Sequence, residues 1–204
     1  MIDESGAKTD LHSYLRGQRE AVLWKVDGLS EYDVRRPLTQ TGTNLLGLVK
    51  HLTGVELLYF GYAYGRMIDD PPAWFGEHAE PNSDFWATAD ESRDRILADY
   101  RRACAFADET ITGTDLAAIG HVEWWPEGQP LHRFLVHVLA EVSRHLGHVD
   151  IVRELIDQRV GMDPELDLMD LSDGAGGPRD DAWWDAYRTR IEEAARSAAG
   201  ASIA

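Results

Sequence analysis

The chain has 204 residues, 44% hydrophobic and 27% charged, a balance that fits a globular domain with a sizeable core and not a disordered chain. Its 36 acidic residues against 20 Lys and Arg give a formal net charge of −16, which repels polyanions; no basic stripe interleaved with aromatics is present, so no nucleic-acid partner is expected. No membrane span is expected from any apolar run, the polar start MIDESGAKTD has no signal-peptide pattern, and the single cysteine, Cys104, allows no internal disulfide, so a reducing, cytoplasmic setting fits.

The first helix is expected from about Thr9 to Gly28, with Leu11, Leu15, Val22 and Val26 at helical spacing. LSEYDVRRPLTQTG follows as a polar connection. The second helix runs from a Thr43 cap to about Gly65, on a stripe of Leu45, Leu48, Leu52, Val55, Tyr59 and Tyr62. Gly47, Gly54, Gly61 and Gly65 lie in or beside it. A helical Gly costs about 1 kcal/mol against Ala; close approach of a neighbour would offset that, and chance tolerance is the other reading.

A long crossover, RMIDDPPAWFGEHAEPNSDF, is too broken for a tight turn. Thr88 to Glu91 matches a capping box for a third helix that ends near Thr110, with Ile96, Leu97, Tyr100, Cys104 and Ala107 inward. A second irregular stretch leads to the fourth helix, Pro130 to Val160. After Gly161 an acidic, Gly-rich loop precedes a short C-terminal helix with Trp183, Trp184, Tyr187 and Ile191 on its packing side, and a frayed ASIA end. No strand-like alternation of any length is visible. The expected fold is all-α: a four-helix bundle over residues 1–160, with a long crossover between helices two and three, and residues 161–204 as an appendage of the same domain.

The chemistry concentrates on two helices. At about 100° per residue, His145 falls inside the apolar arc of the fourth helix and Glu141 lies about 40° from it; His137 and His148 sit further toward that edge. His51 borders the apolar stripe of the second helix. Ionisable groups turned toward a core are costly unless paired. Glu141 and His145, four apart, are neighbours on one face and can grip one ion, with His51 as a third ligand. A His₂-carboxylate set with an open position is the pattern of a catalytic zinc site, and nickel or iron suit the same donors. The alternatives stay open here. A rim histidine is commonly only hydrogen-bonded or exposed, and Glu141 could pair with Arg144 or Arg133 at the surface.

VLAEVSRHLGHVDIVREL, preceded far upstream by VKHLTGVELLYF, resembles the DinB-like superfamily, and more narrowly the branch containing mycothiol-dependent maleylpyruvate isomerase. The resemblance spans about residues 8 to 160. It implies a four-helix bundle holding a divalent metal, usually zinc or nickel, on His51, Glu141 and His145. Many relatives carry His at the position of Glu141, and Gln at that of His148. The isomerase has a separate C-terminal domain, for which the tail after Gly161 is too short, so that particular isomerisation is not expected.

By this resemblance the protein is a metal-dependent thiol S-transferase or isomerase, with a mycothiol-type thiol as cosubstrate and a small electrophile as partner. His148 and His137 are the candidates for orienting a ligand or shuttling a proton. Trp74, Trp86, Trp124 and Trp125 are candidate pocket walls or ordinary packing, and Cys104 reads as a core cysteine. The rival readings are metal-assisted hydrolysis and a bundle that binds metal or a small ligand without turnover. A homodimer is compatible with the sequence.

Overall fold

Apolar residues recurring at helical spacing give four long helices: α1 (Glu4–Val26), α3 (Leu45–Phe60), α4 (Arg93–Gly113) and α5 (Leu131–Asp157). A single turn, α2 (Glu31–Arg35), follows α1, and two short strands, β1 (Ile119–Gly120) and β2 (Gln129–Pro130), precede α5. The computed structural model describes residues 4–76, 79–163 and 180–201, and the chain divides into two units, Met1–Gln158 and Arg159–Ala204.

The first unit is the expected all-α bundle. Helix α3 packs on α4 and α5, and α1 packs on α5. Leu15, Leu45, Leu52, Phe134, Val138 and Val142 meet in one core, none with exposed surface. Among the described residues, no helix is long and apolar enough to cross a membrane.

Several ends fall elsewhere than the sequence suggests. Helix α1 starts at Glu4 and not near Thr9, whose hydroxyl bonds back to the Ser5 carbonyl at 2.8 Å inside the helix. The connection before α3 contains α2, capped by Ser30, whose hydroxyl accepts the Asp33 amide at 3.1 Å. Five residues are too few to show a period. The cap of α3 is Asn44, not Thr43: its side-chain oxygen accepts the Gly47 amide at 2.8 Å. The helix stops at Phe60 and continues as a 3₁₀ turn, Tyr62–Tyr64, closed by Gly65 at φ 65°.

The Thr88–Glu91 box forms only in part. Glu91 accepts the Thr88 amide at 2.8 Å, but Ser92 caps α4. Strands β1 and β2, unexpected from the sequence, pair Ile119 with Pro130 and Gly120 with Gln129. Two residues each are too short for alternation to show. Helix α5 ends three residues early, where Gln158 takes the left-handed conformation at φ 65°.

In the second unit, α6 (Asp181–Ala201) carries Trp183 stacked on Tyr187 at 5.2 Å and 16°, and its Tyr187 and Ile191 are exposed. The expected acidic loop falls largely on residues 164–179, which lie outside the described residues, as do residues 202–204 of the ASIA end, whose Ala201 closes α6.

Candidate metal centre

Helices α3 and α5 bring the three expected ligands together. One ligand atom from each of His51, Glu141 and His145 lies within 4.8 Å of the others. Glu141 and His145 stand one turn apart on α5, with Oε2 and Nε2 3.4 Å apart. Tetrahedral ligands about 2.0–2.2 Å from a zinc ion are themselves about 3.4 Å apart, so this pair already has the spacing of two ligands. The His51 ring approaches that of His145 edge-on, centroids 4.6 Å apart.

The donor set suits a cation. The His145 side chain is only 13% exposed, and its pKa is lowered to about 4. Burial is the first cause and the His51 imidazole the second, with Glu141 opposing them. The ring is therefore neutral at neutral pH, the form that ligates metal. Its Nδ1 is buried with no hydrogen-bond partner, a loss of about 1–3 kcal/mol for an unsatisfied group. The Glu141 carboxylate faces the His145 imidazole at 3.4 Å, and Arg133 lies over the Trp125 ring at 5.4 Å. Two imidazole nitrogens and a carboxylate, with no fixed positive charge among them, fit a divalent ion such as zinc, nickel or iron.

Asp84, which the sequence reading passed over, completes the arrangement. It lies in a 3₁₀ turn of the crossover, Ser83–Phe85, and its Oδ2 is 2.9 Å from His51 Nδ1. A carboxylate on the distal nitrogen fixes a ligating imidazole's tautomer and orientation. The Phe85 ring stacks on His51 at 4.4 Å and 20°.

This stretch of crossover is fastened onto α3. The Asn44 amide donates to the Phe85 carbonyl at 3.0 Å. Buried Lys50 donates to the Trp86 carbonyl at 2.7 Å and to both Glu91 oxygens at 2.8 and 3.0 Å. The Phe85 carbonyl approaches Gly47 so closely that a Cβ there would sit 1.9 Å from it.

The other candidates lie around the ligands. His148 is exposed, its ring 5.4 Å from that of His145, and both line a cavity of about 530 Å³. His137 lies one turn before Glu141, and its Nε2 is 2.9 Å from the Tyr59 hydroxyl. Burial raises the Tyr59 pKa, and the negative charge of Glu141 adds to it. Of the four tryptophans, only Trp86 lines the cavity. Trp124 and Trp125 pack on Tyr59 at 6.0 and 5.9 Å, and Trp74 packs on Phe75 at 6.2 Å. The Cys104 thiol is pushed up by burial first and by the Glu56 carboxylate second, so it stays protonated and is no nucleophile.

A comparison with characterised proteins finds no match. A family model described as mycothiol-S-transferase matches residues 10–158, the whole of the bundle apart from the start of α1. With most of its length matched, the chain belongs to the mycothiol-S-transferase family, within the DinB-like metal-binding superfamily.

Proposed function

We propose that the protein joins the sulfur of mycothiol to a small electrophile, with a divalent cation held by His51, Glu141 and His145. The observation that carries this reading is the convergence of three ligand atoms within 4.8 Å beside an open cavity, in a member of this family. A bound ion would supply Lewis acidity, which lowers the pKa of a thiol and favours the thiolate at neutral pH.

The chain's own residues do the rest. Asp84 holds His51 through Nδ1, which leaves Nε2 for the ligand position. His148, at the cavity wall beside His145, accepts the thiol proton on its imidazole. The sulfur–carbon bond forms as the carbon–leaving-group bond breaks, and the proton held by His148 passes to the departing group. His137 fixes the Tyr59 hydroxyl one turn away, where it orients the electrophile. The protein is thus an enzyme of soluble thiol and electrophile, working on small molecules.

Elemental analysis of protein purified without a histidine tag tests the ligand set. The wild type should carry one divalent ion per chain, and His145→Ala should lose it. Conjugate formation should stop on chelation and return when the metal is restored. A metal-free protein that still consumes mycothiol at the original rate would contradict the reading.

A further inference from the structure

We infer that α6 pairs with the α6 of a second copy of this chain, antiparallel, through a seam of Tyr187, Ile191, Ala194 and Ala198. The inference is independent of the thiol-transfer reading, because every residue it uses lies outside the unit that holds the candidate ligands.

The seam is visible in the spacing. Trp184, Tyr187, Ile191, Ala194 and Ala198 follow one another at alternating steps of three and four, and Ala201 continues the series. At about 100° per residue such positions stay within one narrow stripe of a helix, the pattern by which two helices interlock. Asp185, Thr189, Glu192, Glu193 and Arg196 occupy the other sides. Tyr187 is 41% and Ile191 53% exposed, and Ala194 and Ala198 are exposed as well. An amphipathic helix draws most of its stability from the packing of its apolar face.

The order of sizes along the stripe selects the partner. The large residues stand in the first half and the small ones in the second. About the point midway between Glu192 and Glu193, Ile191 mirrors Ala194 and Tyr187 mirrors Ala198. Two copies laid antiparallel about that point therefore set every large side chain against an alanine, and large against small is the arrangement in which facing layers interdigitate. A parallel pair would crowd Tyr187 on Tyr187 and leave alanine facing alanine across a gap. The face is thus complementary to itself under a two-fold axis, as a symmetric dimer requires.

The charges agree with the same register. Helix α6 carries four acidic residues and three arginines, close to neutral in a chain of net charge −16, so two copies meet here with little repulsion. Arg188 pairs with Asp185, and Arg196 with Glu192 at 2.7 Å, within the helix. Arg190 and Glu193 have no ion-pair partner among the described residues. Both lie on the same flank of the stripe. In the antiparallel register Arg190 of one copy stands about 3 Å along the axis from Glu193 of the other, and the two-fold axis makes this pair twice.

Sedimentation equilibrium of the full-length protein, from low to several hundred micromolar, tests this. A monomer–dimer equilibrium is expected. Ile191→Glu should weaken it at least about tenfold by placing a charge in the seam. Ala194→Phe should weaken it about tenfold as well, since the larger ring overfills its layer, whereas a face that is only sticky would associate more tightly. Arg190→Glu should weaken it several-fold, and Arg190→Glu/Glu193→Arg should restore it. Far-UV circular dichroism checks that each variant keeps its helix. A monomer at every concentration, a dimer unmoved by Ile191→Glu, or a dimer tightened by Ala194→Phe would overturn the seam. A charge-swapped double variant no better than Arg190→Glu would overturn the antiparallel register.

Discussion

Asp84 reaches His51 from a segment with no regular period, and its effect on the site is out of proportion to its visibility in the sequence. Its Oδ2 lies 2.9 Å from His51 Nδ1. Asp84→Asn keeps the size of the side chain and removes the charge that favours the ligating tautomer. Loss of such a partner typically costs about 10–100-fold in metal affinity. Competition against a chromophoric chelator should show zinc binding weakened by that order, with the helical circular dichroism unchanged; an unaltered affinity would mean that the contact does not orient the ring. The cluster of His51, Glu141 and His145 was legible, because Glu141 and His145 repeat at the helical interval on an apolar face and His51 interrupts another. Asp84 was not, because the crossover holds several other acids, including Asp69, Asp70 and Glu80, and only the folded chain selects one.

Among the elements, α3 carries most of the positional information. The two strands, the extra turn α2 and the true ends of the helices were illegible for one reason: a cap or a two-residue pairing is decided by single hydrogen bonds, not by a repeating pattern. The glycines of α3 separate into kinds that the sequence could not distinguish. A Cβ at Gly47 would sit 1.9 Å from the Phe85 carbonyl, whereas one at Gly54 would meet the Phe75 and Trp74 rings at an ordinary 3.6 Å or more. Gly47→Ala should therefore push the crossover off the helix, lower the Tm and weaken zinc binding together, since Asp84 moves with Phe85. Gly54→Ala should keep zinc affinity and hold or raise stability, by up to about 1 kcal/mol from helix propensity. Scanning calorimetry with zinc titration of both variants checks this contrast; the same response from both would refute it.

At the scale of the whole bundle, a second polar cluster ties α1, α3 and α4 together away from the candidate metal centre. The Arg19 guanidinium donates to both oxygens of Glu56 at 2.7 and 2.6 Å and to Asp108 at 2.6 Å, and His12 lies 2.7 Å from Asp108. Glu56 has no exposed surface, and burial raises its pKa even though Arg19 opposes the shift. Removing one partner of such a pair leaves an uncompensated charge. Arg19→Met should cost about 3–5 kcal/mol in urea unfolding, and Arg19→Met/Glu56→Leu should recover much of that, while the folded fraction of either binds zinc as the wild type does. A loss as large in the double variant as in the single one would show that the pair's value is not electrostatic.

The fastening of the crossover by Lys50, Asn44 and the bare backbone at Gly47 has a wider bearing. Side chains along this strap, Asn82 and Trp86 among them, can change while its backbone, and with it the place of Asp84 beside His51, stays where the three rivets hold it.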